Sequence, residues 1–129
     1  MIKKVSKDFV YDFAIKFFPS FSKNVGPFDR VLVYLQDDIC GFISYSVIYD
    51  RAEIEYIAVS NNYLGKGVSD DLFKAFLDDI SGCLNVSLEV DENNKRAINF
   101  YLKHGFEKKG IRKNYYKSSD GILMVLELR

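Results

Sequence analysis

Between Ala52 and Val90 the hydrophobic period changes twice. Residues 52–59 alternate as a strand, and residues 60–66 form a polar loop. Val68, Leu72, Phe76 and Ile80 then recur at helical spacing over residues 67–81, and Gly82 ends the helix. Residues 85–90 return to strand period, with Val86, Leu88 and Val90 on one face. A strand–helix–strand unit crosses over right-handedly and sets its two strands parallel. The flanking segments say the opposite. Strands at 31–35, 40–49 and 52–59 are separated by Gln36-Asp37-Asp38 and Asp50-Arg51, and turns that short imply antiparallel neighbours.

The remaining elements fit around that core. Ser6 caps a first helix in which Phe9, Phe13 and Phe17 share one face as core residues, and Pro19 stops it. Residues 20–30 read as loop or a short second helix. Asn94 caps a later helix carrying Ala97, Ile98, Tyr101 and Leu102, which ends at Gly105. Strands at 107–116 and 122–128 close the chain, joined by a turn at Ser118-Ser119-Asp120-Gly121. The expected class is α/β (α+β): a mixed, mostly antiparallel sheet with one parallel strand pair and helices on both faces.

Composition narrows the function. A length of 129 residues, 48% hydrophobic and 28% charged, predicts a single domain over 1–129. Eighteen basic and eighteen acidic residues cancel, so no charge excess drives binding to nucleic acid or a membrane surface. No apolar run is long enough to span a bilayer. Asp8, Asp12 and Lys16 interrupt the Phe-rich start in a way that no signal-peptide core would tolerate, so a cytoplasmic location is expected. Cys40 and Cys83 are too few for a disulfide framework or a metal site and read as buried apolar residues; no metal is expected.

One loop carries a chemical signal. Tyr63-Leu64-Gly65-Lys66-Gly67-Val68-Ser69 joins a strand to a helix. Its glycines allow close backbone approach to an anion, and the first helical N–H groups have no partner within the helix. A pyrophosphate suits this place, and so does a plain turn. The loop lacks the spacing and the Lys-Ser/Thr ending of a Walker motif.

Further along, Leu88-Glu89-Val90, Asn94, Ala97-Ile98, Phe100-Tyr101, Gly105-Phe106, Gly110, Arg112 and Tyr115-Tyr116 follow in a fixed order. This pattern resembles the GNAT superfamily of acetyl-CoA-dependent N-acetyltransferases, and within it the ribosomal-protein-alanine N-acetyltransferases. The likeness runs over about residues 31–128. It implies a GNAT-like fold with acetyl-CoA as co-substrate. Backbone groups of Ile57, Ala58 and Val59 would pair with the pantetheine arm. The N–H groups of Leu64, Gly65, Lys66, Gly67, Val68 and Ser69 would hold the pyrophosphate, and Asn94 would contact the cofactor. Tyr101 would stand by the thioester sulfur as general acid, and Glu89 falls at the general-base position.

The chemistry suits these roles. A protonated amine is no nucleophile, so a base must first take its proton. The developing oxyanion needs a donor such as a backbone N–H near Val59, and the departing thiolate needs a proton. Glu53 is a competing base. Each residue also has a structural reading: Glu89 as a paired strand glutamate, Tyr101 as core, Asn94 as a helix cap. The loop departs from the family pattern at Leu64 and Ser69, and Asp70 and Asp71 follow it, where their charge opposes a pyrophosphate. The resemblance implies acetyl transfer to a primary amine, first of all a protein N-terminus, by direct attack in a ternary complex. A small-molecule amine acetyltransferase and a non-catalytic acyl-CoA-binding module are the alternatives. A monomer or weak homodimer is expected.

Overall fold

The computed structural model describes residues 1–128. Among them run β1 (Ile2–Val5), α1 (Lys7–Ala14), β2 (Asp29–Leu35), β3 (Ile39–Ile48), β4 (Arg51–Val59), α2 (Val68–Asp79), β5 (Asn85–Asp91), α3 (Lys95–Lys103), β6 (Glu107–Tyr116) and β7 (Ser119–Glu127). The strand order is β1-β2-β3-β4-β5-β7-β6. β4 and β5 are parallel, as the crossover demands, while β1–β2, β2–β3, β5–β7 and β6–β7 are antiparallel. The described chain forms two compact units: Met1–Ile48 with Ile54–Ser81, and Tyr49–Glu53 with the residues from Gly82 onward.

In the first unit, register assigns the two faces. Val33 pairs with Phe42 and Val31 with Ser44, and the Val31, Val33 and Phe42 side chains form a buried cluster with Val10 and Ala14 of α1. Leu32 pairs with Ile43 and Arg30 with Tyr45, on the opposite face, where the Tyr45 ring meets Phe76 of α2 edge-on at 4.7 Å. Gly41 belongs to that second face. A Cβ there would lie 2.8 Å from the Ala58 carbonyl oxygen and 3.2 Å from Val68, so only glycine lets α2 sit this close. Helices therefore cover both faces. Fully burying a ring such as Phe42, Phe73 or Phe76 contributes about 2–3 kcal/mol before the entropy cost of ordering.

Several expectations for this region are corrected. A strand, β1, precedes the first helix: Ile2 pairs with Tyr34 and Val5 with Val31. Four residues with two lysines at the centre give little hydrophobic signal, and an edge strand needs none. α1 ends at Ala14 rather than at Pro19, and Ser6 stands at the N-cap without a side-chain hydrogen bond. The buried row of α1 is Val10 and Ala14, whereas Phe9 is 46% and Phe17 38% exposed. Val10 and Ala14 are small enough to lie directly on the sheet. Phe13 is displaced to the margin, edge-on to Phe42 at 6.0 Å, and Phe9 lies under the Lys3 ammonium at 5.2 Å.

In the second unit, β5 against β7 separates two faces. Val86, Leu88 and Val90 pair with Leu126, Met124 and Ile122 on one, and Ser87, Glu89 and Asp91 pair with Val125, Leu123 and Gly121 on the other. The β6–β7 register shifts twice, and Asn114 takes a left-handed φ of 53° at the second irregularity. The Asn114 N–H donates to Asp120 Oδ1 at 2.9 Å, and Tyr116 pairs with Ser119. Ser119, Asp120 and Gly121 are thus strand, not the turn their composition suggests, because the chain reverses over only two residues, Lys117 and Ser118, inside the Tyr116–Ser119 pair. Asn94 caps α3 as expected, its side chain accepting the Ala97 N–H at 3.2 Å. Cys40 and Cys83 are free thiols, both buried.

Candidate active site

The predicted phosphate loop lies in the first unit. Ile57, Ala58 and Val59 end β4, and the next amide, Ser60 N–H, donates to the Cys40 carbonyl at 2.8 Å. A 3-10 turn, Asn61–Tyr63, leads into Gly65 (φ 76°) and Gly67 (φ 82°), the latter being the N-cap of α2. A Cβ at either glycine would meet nothing within 4 Å, so the backbone angle, not space, requires glycine there. The Leu64 and Lys66 N–H groups donate to Asn61 and Tyr63 carbonyls at 3.4 and 3.3 Å. Those of Val68 and Ser69 stand ahead of the first α-helical bond, Asp71 N–H to the Gly67 carbonyl, and have no earlier helical carbonyl to use. Two left-handed glycines followed by a helix start leave backbone amides of the kind that suit an anion. Lys66 is exposed beside it, 5.8 Å from the Tyr63 ring centre, and Asp70 and Asp71 occupy the first turn.

The predicted base lies in the second unit. β5 alternation turns Glu89 away from Val86, Leu88 and Val90, and the side chain is half-buried. Its Oε1 accepts from Arg112 Nη2 at 3.0 Å. Its Oε2 is buried and has no hydrogen-bond partner among the described residues. Gly121, across the β5–β7 ladder, makes room for this carboxylate. A Cβ at Gly121 would stand 3.3 Å from Glu89 Oε2 and 3.1 Å from the Tyr115 ring. The Arg112 guanidinium lies over Tyr115 at 4.7 Å, and Tyr115 meets Tyr116 edge-on at 5.0 Å. Burial, followed by the charges of Tyr115, Asp91 and Glu89, pushes the Tyr116 phenol above its ordinary range. Glu53 pairs with Ser87 in the parallel register and so shares the face of Glu89, one pair further along, with an exposed side chain.

Tyr101 is buried in α3 at 5% exposure, its ring edge-on to Phe106 at 5.3 Å. Burial pushes its phenol well above 10, which keeps the proton on oxygen at any physiological pH. The Oδ1 of Asn94 is committed to the helix cap. Of the predicted residues, the structure surrounds Glu89 with Arg112, Tyr115 and Gly121, sets Tyr101 into an aromatic cluster, and places the loop amides at a helix start. The Arg112–Glu89 ion pair is not legible in the sequence. Arg112 stood in the motif, but nothing in the spacing said which carboxylate it would meet. No group of three or more His, Cys, Asp or Glu able to hold a metal exists among the described residues.

The Acetyltransferase (GNAT) family profile matches residues 2–106. This chain belongs to that family. It is 32% identical over 96 residues to the Escherichia coli (strain K12) protein named ribosomal protein bS18-alanine N-acetyltransferase, covering 70% of this chain and 65% of that one. The crystal structure of the E. coli ribosomal-protein-S18-alanine N-acetyltransferase superposes with a TM-score of 0.83 at 25% identity, over 99% of this chain and 94% of that chain. A Bacillus anthracis protein solved with acetyl coenzyme A gives a TM-score of 0.72 at 27% identity, over 81% of this chain and 65% of that chain. The chain spans about two thirds of the length of the curated relatives it matches. The GNAT fold expected from the sequence is thus the fold found, and no helix among the described residues is long and apolar enough to cross a membrane.

Proposed function

We propose that this GNAT protein transfers the acetyl group of acetyl-CoA to a primary amine, with a protein N-terminus as the preferred acceptor and residues 1–129 as one catalytic domain. The observation that carries the reading is Glu89: a strand carboxylate held at Oε1 by Arg112 with its second oxygen buried and unpartnered. A carboxylate serving only as half of a surface ion pair has no reason to bury an unsatisfied oxygen, which costs about 1–3 kcal/mol. The bS18-alanine acetyltransferases among the relatives favour a protein N-terminus over a small amine.

The loop at the start of α2 fits the co-substrate, since Gly65 and Gly67 hold left-handed angles with open space above them. The amides of Gly65, Gly67, Val68 and Ser69 would hold its pyrophosphate, with those of Leu64 and Lys66 at the margin. The backbone of Ile57, Ala58 and Val59 would take its pantetheine arm as an added strand. When bound, acetyl-CoA supplies an acetyl group activated as a thioester. The protein moves the protons. An amine that arrives as ammonium loses two protons overall. Glu89 takes the first and passes it to solvent, leaving a nucleophilic lone pair. Tyr101, kept protonated by burial, gives its proton to the leaving sulfur as the C–N bond forms and the C–S bond breaks, and it recovers a proton from the acylated nitrogen. A backbone N–H near Val59 would meet the developing oxyanion. Glu53, on the same face, is the competing base.

The test is a panel of peptides with different free N-terminal residues and of small primary amines, read by mass spectrometry. Acetylation confined to small amines would overturn the acceptor, and absence of acetyl-CoA binding by calorimetry would overturn the enzyme. Glu89→Gln and Tyr101→Phe should each lower kcat about 100-fold while acetyl-CoA Kd changes by less than about twofold. An undiminished Glu89→Gln rate would move the base role to Glu53 or water.

A further inference from the structure

We infer that Arg112 is a positioning residue for Glu89: its guanidinium fixes the carboxylate through Oε1 and so presents Oε2 as the atom that takes the amine proton. The inference rests on the reading of Glu89 as the base and goes beyond it by assigning a second residue and a specific oxygen. Three features of the second unit carry it. The ion pair is single-ended, from Arg112 Nη2 to Oε1 at 3.0 Å, which leaves the other oxygen without a donor. Arg112 is itself held, because its guanidinium lies on the Tyr115 ring at 4.7 Å and so costs less side-chain entropy to keep in place. Gly121 supplies the missing volume, since any Cβ there would press on both Oε2 and the Tyr115 ring.

The neighbouring charges and titratable groups are arranged consistently. Asp91 on β5, Tyr115 and Tyr116 on β6 and the exposed Glu53 on β4 share this side of the sheet, while β7 contributes Gly121 and Leu123. None of these neighbours brings a second cation to the carboxylate. Tyr115 is 48% exposed, and its ring and Oε2 both line the space that a Cβ at Gly121 would take. In the step itself one amine N–H bond breaks and one O–H bond forms at Oε2, with Arg112 remaining on Oε1 throughout.

The experiment is a kinetic double-mutant cycle on the full chain. Its substrates are acetyl-CoA with an N-terminal-alanine peptide and, in parallel, a panel of small primary amines; the faster acceptor is used. Arg112→Gln should lower kcat about tenfold with the acceptor KM changed by less than about twofold, and Arg112→Lys should recover most of that loss. In a Glu89→Gln background, Arg112→Gln should have almost no further effect, because its influence passes through the missing carboxylate. Gly121→Ala keeps both charges but crowds Oε2, and it should reproduce the kcat-selective loss and the same non-additivity. Melting curves and acetyl-CoA binding confirm that each variant is folded. A raised KM with kcat intact would make Arg112 an acceptor-binding residue instead, and additive losses would make it merely structural; either overturns the inference. An undiminished Glu89→Gln rate moves the base role elsewhere and overturns the inference with it, no turnover on any acceptor overturns the proposed function, and a damaged Glu89→Gln beside an unaffected Arg112→Gln overturns only the positioning role.

Discussion

Gly67 shows how one backbone angle can tie stability to binding. At φ 82° a side chain is strained although nothing crowds it, so Gly67→Ala should cost about 1–2 kcal/mol in a thermal melt. The same change tilts the first amides of α2, so acetyl-CoA binding measured by calorimetry should weaken as well. The charge of Asp71 would oppose the pyrophosphate at the proposed site. Asp71 is exposed in the first turn of α2, near the proposed pyrophosphate position. Removing its charge in Asp71→Asn relieves roughly 1 kcal/mol or less after screening, so Kd for acetyl-CoA should tighten by up to about fivefold, and less at high salt. The glycines and the aspartates were legible as residue types. Their angles and the amides they free or consume were not, because those depend on the 3-10 turn that precedes them.

At the level of elements, α1 and α2 show where periodicity was enough and where it failed. In α2 the sequence period named Val68, Leu72 and Phe76, and all three are buried. In α1 the phenylalanine row was the more hydrophobic one, yet Val10 and Ala14 face the sheet. Hydrophobicity ranks faces, but fit against Val31, Val33 and Phe42 chooses between them. Accordingly Val10→Ala should cost about 2 kcal/mol by denaturant unfolding, and Phe9→Ser less than about 1 kcal/mol. The C-terminal end of α2 is held by charge. Asp79 accepts hydrogen bonds from Lys4 of β1, Arg30 of β2 and Tyr45 of β3. Burial opposes its ionisation, but the hydrogen bonds from Lys4, Tyr45 and Arg30 outweigh it and hold the carboxyl below its ordinary range. With a lowered folded pKa, its stabilisation is present above about pH 4 and is lost as pH falls through the folded value. Asp79→Asn should therefore flatten the acid limb of the stability profile.

For the whole molecule, the alkaline limb mirrors the acid one. Burial first, then the hydrogen bond and charge of Asp79, raises the Tyr45 phenol; burial alone raises that of Tyr101. The unfolded chain ionises its tyrosines near pH 10 while these two remain protonated, so stability should be complete below pH 10 and decline above it. Tyr101→Phe should reduce that decline in urea titrations at several pH values. Calorimetry tests the domain reading. One cooperative transition is expected for a single domain, and two separate transitions would show that the two compact units are independently stable. Formal neutrality is no obstacle to an anionic co-substrate, because the proposed site uses backbone amides rather than an excess of lysine and arginine.

The order of strands and helices from α1 onward, the parallel pair and the GNAT pattern from Leu88 to Tyr116 were determined by the sequence alone, because they depend on local periodicity and on residues at fixed separations. Tertiary structure decided what no local pattern contains. It added β1, an edge strand recruited by its partner β2, and it brought α1 down on Val10 and Ala14. It also brought Arg112 to Glu89 across the β5–β7–β6 ladder, where two register shifts and the absence of a side chain at Gly121 set which carboxylate the guanidinium meets. Those shifts are settled by packing over the whole second unit, so they cannot be counted off along the chain.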